Sequence, residues 1–240
     1  MSMKIGLIGY GKMGKTIERL AEKNGDEIVL RIGSGNADQL TTENLRRCDA
    51  VIEFTRPEAA FENILACLDA GVPVVSGTTG WLGKLPEAKK ICEQKKGAFI
   101  YASNFSVGVN LFFAINRYVA SLMNGHHEYH PSIEEIHHTQ KLDAPSGTAI
   151  TLAEDLIEKV KNLKAWKLDG EGEGILPVTA KRLPEVPGTH IVSWNSEIDG
   201  IELKHTAHSR EGFAGGALLA AKWLVGKQGF FTMQDVLGIK

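Results

Sequence analysis

A chain of 240 residues with 43% hydrophobic and 23% charged residues has the composition of a folded globular protein, which excludes a disordered polypeptide and a miniature disulfide scaffold. Its 27 basic residues against 29 acidic ones leave a formal charge of -2 without a tract of like charge, which argues against a nucleic-acid footprint. Cys48, Cys67 and Cys92 are odd in number and widely separated, so they match neither a disulfide framework nor zinc spacing. With no cleavage pattern near Met1 and nothing approaching ~18 continuous apolar residues, the expected setting is a reducing cytoplasm, not a membrane.

In chain order, Lys4 to Ile8 reads as a buried strand, Lys12 to Lys23 as a helix and Glu27 to Ile32 as a second strand. Ala50 to Phe54 is a short apolar strand. Pro57 to Ala70 is helical with its proline at a permitted first-turn position, and Val72 to Val75 is strand-like. A helix near Leu85 to Lys96 and a strand at Ala98 to Tyr101 follow. Short continuous apolar strands alternating with helices specify a parallel sheet covered on both faces, so residues 1–105 read as a doubly wound domain.

The pattern changes after Tyr101, and residues 106–212 read as a second domain. Asn110 can cap a helix whose apolar positions Leu111, Ile115, Tyr118, Val119 and Leu122 fall at helical spacing. Ser132 to His137 is strand-like, Thr148 to about Lys161 is helical, and Asn162 to Gly188 reads as an ordered loop or poor strand. Ile191 to Ile198 and Ile201 to Ala207 flank Asp199-Gly200, a pair suited to a type I′ hairpin, so this half reads as predominantly antiparallel. Phe213 to Val225 is a final helix, and residues 213–240 are expected to return to the first domain.

Gly9-Tyr10-Gly11-Lys12-Met13-Gly14 fits G-x-G-x-x-G between a strand ending at Ile8 and a helix, the context a dinucleotide site requires. Gly9 serves the tight turn, Gly11 lets backbone approach a pyrophosphate, Gly14 lets the helix pack closely, and N–H groups at the helix start face the anion. A purely structural turn is the competing reading, which the position of the loop disfavours. The acid that normally receives a ribose hydroxyl about 20 residues on is missing. Arg31-Ile32-Gly33-Ser34 stands there, so with Arg31 or Lys12 nearby the expectation leans to NADPH, with NADH also open.

Glu135-Ile136-His137-His138-Thr139-Gln140-Lys141-Leu142-Asp143-Ala144-Pro145-Ser146-Gly147-Thr148 concentrates titratable groups immediately before a helix. Ser146 or Thr148 with the helix-start N–H groups makes a carboxylate cradle, Lys141 adds positive charge, and histidine exchanges protons near neutrality. An anionic substrate and a proton transfer are implied. A capped helix beside incidental histidines explains any one residue but not the whole run. A metal site drawn from His126, His127, His130, His137 and His138 is disfavoured. Adjacent histidines on a strand point to opposite faces, and Asn124-Gly125 and Pro131 interrupt the helix that would align the others.

The Glu135 to Thr148 run resembles the signature of the bacterial 4-hydroxy-tetrahydrodipicolinate (dihydrodipicolinate) reductase family. The Gly9 to Gly14 loop, Gly77-Thr78-Thr79, the Ala102-Ser103-Asn104-Phe105-Ser106-Val107-Gly108-Val109-Asn110 segment, Ser209-Arg210, Phe213-Ala214 and Gly216-Ala217 fall where that family has its counterparts. The likeness spans nearly the whole chain, which resembles a short form lacking the acid often found at the end of strand two.

The resemblance implies an α/β fold, with a Rossmann-type doubly wound parallel sheet plus an α+β substrate-binding and oligomerisation domain, assembled as a homotetramer. It implies NADPH- and/or NADH-dependent reduction of (2S,4S)-4-hydroxy-2,3,4,5-tetrahydrodipicolinate to tetrahydrodipicolinate in diaminopimelate and lysine biosynthesis. By the same resemblance His137 is the proton donor, Lys141 stabilises charge developing toward the ring nitrogen, and His138, Ser146, Gly147, Thr148 and Arg210 hold the dicarboxylate. The cofactor falls to Ile8, Gly9, Tyr10, Gly11, Lys12 and Met13, to Gly77, Thr78 and Thr79, and to Ala102, Ser103, Asn104 and Phe105, with Glu53-Phe54-Thr55 a minor contact and no metal.

Hydride transfer needs near-attack geometry, so a mobile join is expected around Asn104 to Asn110 and near Arg210. A semialdehyde dehydrogenase would need a reactive cysteine, and none of the three has that setting. A nucleotide-sensing binding protein would keep the glycine loop but has no use for the second-domain cluster.

Overall fold

The computed structural model describes residues 2–209 and 211–239. In chain order its elements are β1 (Lys4–Ile8), α1 (Lys12–Lys23), β2 (Glu27–Ile32), α2 (Thr42–Leu45), β3 (Ala50–Glu53), α3 (Pro57–Ala70), β4 (Val74–Ser76), α4 (Leu85–Gln94) and β5 (Ala98–Tyr101). There follow α5 (Val107–Met123), β6 (His130–His137), α6 (Gly147–Lys159), β7 (Ala165–Leu168), β8 (Ile175–Arg182), β9 (Gly188–Asn195) and β10 (Gly200–Ala207). The chain ends with α7 (Glu211–Leu224), β11 (Gly229–Phe231) and α8 (Met233–Leu237). Two compact units result: one runs up to Val107 and resumes at Glu211, the other begins at Gly108.

The first unit holds a six-stranded sheet in the order β11-β5-β4-β3-β1-β2, every neighbouring pair parallel. Residues that alternate along the strands supply both faces. Ala50 and Ile52 of β3, Val75 of β4 and Ile100 of β5 pack with α1 and α7, whereas Val51, Val74 and Phe99 pack with α3 and α4. Ala214, Ala217, Leu218, Ala221 and Leu224 place α7 in the first of these cores. Small residues let that helix sit close: a Cβ on Gly216 would come within 1.7 Å of the Phe105 carbonyl oxygen. Pro57 starts α3 where a missing N–H costs nothing, and Gly71 ends it in the left-handed region at φ 73°.

The second unit has a five-stranded sheet ordered β10-β9-β6-β8-β7. It is mixed, not predominantly antiparallel: β10 with β9 and β9 with β6 are antiparallel, but β6 with β8 and β7 with β8 are parallel. The difference comes from the Asn162 to Gly188 stretch, which the sequence suggested was an ordered loop or a poor strand and which supplies two strands. Leu176 and Val178 alternate inward with no exposed surface, so β8 has a core face despite Pro177. The hairpin also differs. Gly200 pairs with Asn195, leaving Ser196 to Asp199 as the turn, closed by Ser196 N–H to the Asp199 carbonyl at 2.9 Å. Neither Asp199 nor Gly200 takes the positive φ that a type I′ turn needs.

Helix α5 begins at Val107, so Asn110 lies inside it and is buried instead of capping it. Its core face is Val109, Phe112, Phe113, Ala120 and Met123, while Leu111, Ile115, Tyr118 and Leu122 are 44%, 49%, 66% and 57% exposed. The helix carries two apolar stripes, and the one with the phenylalanines wins the core, where a fully buried large side chain contributes about 1.5–3 kcal/mol. Those residues, with Leu152, Ala153 and Leu156 of α6, cover Ile133, Val178, Val192 and Trp194 of the sheet.

Candidate active site

Register aligns the cofactor loops of the first unit. Ile8 lies opposite Glu53, Glu53 opposite Ser76, and Ser76 opposite Tyr101, so the segments that follow β1, β3, β4 and β5 leave the sheet along one edge. The carboxyl edge of a parallel sheet, where strand order reverses, is the place for a ligand. Here the reversal falls at β1, with β2 on one side and β3 on the other.

Within the glycine loop the three glycines have different reasons. A Cβ on Gly9, at φ 100°, would lie 1.9 Å from the Phe54 carbonyl oxygen, and one on Gly14 would lie 2.5 Å from the Gly9 carbonyl oxygen. One on Gly11 meets nothing within 4 Å. Helix α1 has no side-chain cap and no acid in its first turn, so its orphan N–H groups and exposed Lys12 fit the pyrophosphate of a nicotinamide dinucleotide. Ile8 is buried, and Tyr10 and Met13 are half-buried against the core. Arg31, one of two cations considered for a ribose phosphate, is engaged elsewhere: its Nε bonds Glu18 at 2.6 Å and its Nη1 bonds the Ile28 carbonyl at 3.0 Å.

The loops beyond β3 and β4 are tied by Glu53, which has no exposed surface. It accepts the Ser76 hydroxyl at 2.6 Å, the Thr78 hydroxyl at 2.8 Å, the Thr55 N–H at 3.0 Å and also the Thr55 hydroxyl. Glu53 and Thr78 therefore spend their side chains on the scaffold. Gly77 is required because a Cβ there would strike the Phe54 ring at 2.1 Å, and Thr79 is exposed. After β5, Ser103 is exposed and Asn104 half-buried, while Ala102 and Phe105 belong to the core. Phe105 packs edge-on to Phe54 at 5.9 Å, so only its backbone is available to a ligand.

In the second unit, the two-residue period of β6 sends Ile133, Glu135 and His137 to the helix-covered side. Ile133 enters the core, and the next two inward positions reach the start of α6. There Ser146 caps the helix by accepting the Ala149 N–H at 3.2 Å, and no acid occupies the first turn. Glu135 accepts the Ser146 N–H on Oε2 at 3.0 Å and Arg182 Nη2 on Oε1 at 3.1 Å. His137 Nδ1 lies 3.4 Å from Glu135 Oε2, and His190 Nε2 lies 3.7 Å from it and 3.0 Å from the Ser146 hydroxyl. Burial opposes ionisation of Glu135, yet His190, Ser146 and His137 outweigh it and hold the carboxyl down at about 2. Burial dominates at His137, and with His190, Lys141 and Arg182 nearby it overcomes the pull of Glu135 and brings the imidazole down to about 4.

Lys141 is half-buried and pairs with both Asp143 carboxylate oxygens, at 2.8 and 2.7 Å. His138 and Thr148 are half-buried and Gly147 is exposed at the helix start. The structure thus gathers His137, Lys141, Ser146, Gly147 and Thr148 around one helix terminus, while Arg210 lies outside the described residues. Two residues absent from the sequence reading join them. Arg182 holds the loop by bonding the carbonyls of Asp143 at 2.6 Å and Lys141 at 3.3 Å as well as Glu135. His190 is 5% exposed on β9. A basic residue closing a weak strand and a histidine among β-branched neighbours were the only local signals.

Glu135, His137 and His190 place ligand atoms within 4.8 Å of one another, a spacing that a cation can use. Arg182 and Lys141 beside them favour an anion instead. His126, His127 and His130 line a separate open cavity of about 490 Å³ with Trp194 and Glu173, and among the described residues they form no such trio. The cysteines offer no nucleophile: all are buried, burial pushing the Cys48 thiol up to about 11 and raising Cys67 and Cys92 as well.

Family models named dihydrodipicolinate reductase, N-terminus and C-terminus, match residues 3–105 and 108–237. A 4-hydroxy-tetrahydrodipicolinate reductase of Christiangramia forsetii is 50% identical over 237 residues, covering 98% of each chain. One from Archaeoglobus fulgidus is 37% identical over 98% of this chain and 100% of its own. The solved dipicolinate-bound dihydrodipicolinate reductase of Paenisporosarcina sp. TG-14 superposes with a TM-score of 0.74 at 23% identity, over 98% of this chain and 99% of that one, and so shares the fold.

Proposed function

The chain belongs to the dihydrodipicolinate reductase family, and on that premise we propose how its residues divide the work of the reaction. The enzyme is an oxidoreductase of diaminopimelate and lysine biosynthesis that reduces (2S,4S)-4-hydroxy-2,3,4,5-tetrahydrodipicolinate to tetrahydrodipicolinate. The Gly9 to Met13 loop, Gly77 with Thr79, and Ser103 with Asn104 hold a nicotinamide dinucleotide, with Ile8, Thr78, Ala102 and Phe105 shaping those contacts. When bound, the nicotinamide supplies the hydride.

The substrate carboxylates go to the start of α6, where Gly147 and Thr148 present directed donors on a turn that Ser146 holds through Glu135 and His190, with His138 and Arg210 assisting. Lys141 stabilises charge developing toward the ring nitrogen, for which the bound substrate competes with Asp143. His137 delivers the proton. Its imidazole is neutral at pH 7 in the free enzyme, and a dianionic substrate raises its proton affinity on arrival. The observation that carries this reading is the convergence of Glu135, His137, Ser146 and Arg182 with Lys141 at one helix N-terminus.

NADPH is the favoured cofactor by a modest margin, with NADH accepted. The end of β2 has no carboxylate to repel a 2′-phosphate, but Arg31 is engaged by Glu18, which leaves Lys12 to attract one. The assembly is a homotetramer built through the second unit. The exposed stripe of α5, with Ile198 and Ile201 at 94% and 42% exposure, supports this and is tested by mass in solution. Among the described residues no helix is long and apolar enough to cross a membrane, and three buried free thiols fit a cytoplasmic setting.

The test is loss of NADPH absorbance when the protein meets freshly made dihydrodipicolinate synthase product. Intact protein should turn over, and His137→Gln and Lys141→Ala should each lower kcat by about a hundredfold or more while retaining cofactor binding. Full turnover in both variants would overturn the assigned roles.

A further inference from the structure

We propose that Glu135 and Gly188 orient His137 from opposite edges of its ring, the carboxylate facing Nδ1 and the bare glycine leaving Nε2 uncovered to release the proton. Glu135 is then a positioning residue, a role that rests on the reading of His137 as proton donor.

The carboxylate is well placed to do this because it is itself held. Glu135 has no exposed surface, accepts Ser146 N–H on one oxygen and Arg182 Nη2 on the other, and stands two residues before His137 on the same face of β6. His137 Nδ1 is buried and makes no aligned hydrogen bond, and Glu135 Oε2 lies 3.4 Å away. Catalytic contacts of this kind are commonly long in a free enzyme and tighten when substrate binds.

On the other edge, a Cβ at Gly188 would sit 3.1 Å from Nε2 and 3.3 Å from the neighbouring ring carbon Cδ2. A methyl there would press on the Nε2 edge of a ring that is only 7% exposed. The charged groups around the ring come from several elements: Glu135 on β6, Lys141 in the following loop, Arg182 on β8 and His190 on β9. Of these only Glu135 favours the imidazolium.

The proton balance follows from this placement. The imidazolium keeps one proton on Nδ1 facing Glu135 and gives the Nε2 proton to the substrate atom that gained electron density after hydride addition. The neutral ring left behind carries its proton on Nδ1, the tautomer the carboxylate prefers.

Histidine-selective ¹⁵N spectra of the folded protein, with His137 assigned by its loss in His137→Gln, read the tautomer directly. We expect Nδ1–H in the intact protein and a shift toward Nε2–H in Glu135→Gln. That variant should lose at least about tenfold in kcat with KM changed by less than about threefold, the alkaline fall of its kcat should move to lower pH, and Glu135→Asp should recover part of the loss. Gly188→Ala should keep the Nδ1–H tautomer yet lower kcat. An Nε2–H tautomer in the intact protein, or a Glu135→Gln variant that changes only melting temperature, would overturn the positioning role. Full activity in His137→Gln would instead refute the donor reading beneath it.

Discussion

The hydroxyl of Ser146 lies 3.0 Å from Nε2 of His190 while accepting the Ala149 N–H at 3.2 Å, so one side chain caps α6 and ties it to β9. Ser146→Ala removes both contacts from a residue that is 3% exposed. Loss of the cap alone should cost about 1–2 kcal/mol. Urea denaturation should show a lower midpoint at unchanged slope, and a midpoint equal to that of the intact protein would show that the cap contributes nothing.

Acid should weaken the fold in two overlapping stages. The folded-state value of His137, about 4 against its usual 6.5, means that the unfolded chain binds more protons between those values, so stability falls as pH drops from 6.5 to 4. Glu135, at about 2 against 4.5, contributes stability that is present above pH 4.5 and lost as pH falls through 2. Both act in the same direction. Urea midpoints should decline steadily below pH 6.5, and the upper part of the decline should flatten in His137→Gln. A pH-independent midpoint between 6.5 and 4 would show that the buried imidazole is not held neutral.

The first unit was legible because its strands are buried on both faces, giving continuous apolar runs such as Ala98 to Tyr101, punctuated by glycines that the turns require. The second was less so. Strand β8 carries Pro177 and ends on Lys181 and Arg182, so its core face rests on Leu176 and Val178 alone. The loop from His138 to Ser146 was visible by its density of titratable groups, but the residues that anchor it, Arg182 and His190, lie on strands far along the chain. Only the sheet order β9-β6-β8 brings them beside Glu135. Pairing of this kind is set by tertiary structure and leaves no local spacing to read. Helix α5 was legible as a helix but not in its start or its buried face, since it begins before Asn110 and a helix apolar nearly all round does not declare which stripe it buries.

The thiols give a check on the core that α3 and α4 form with the first unit's sheet. Cys48 and Cys92 are 7% and 0% exposed and Cys67 is fully covered, with burial raising each thiol above its usual range. A disulfide-exchange reagent at pH 8 should leave the native protein unmodified and label all three cysteines after denaturation. Fast labelling of native protein would show that this core opens readily, since thiolate and access are both needed for exchange.

The glycine loop separates fold from ligand by substitution. Gly14→Ala forces a methyl to within 2.5 Å of the Gly9 carbonyl oxygen, and Gly9→Ala brings one to 1.9 Å from the Phe54 carbonyl oxygen at φ 100°, so both should lower the urea midpoint. Gly11→Ala meets open space in the free protein, and its stability should stay within about 0.5 kcal/mol of the original. The added methyl instead occupies the approach of a pyrophosphate to the start of α1. Titration calorimetry with NADPH should therefore show affinity at least about tenfold weaker in Gly11→Ala, without loss of fold. Undiminished affinity would place the phosphates elsewhere along the sheet edge and leave the loop as a structural turn.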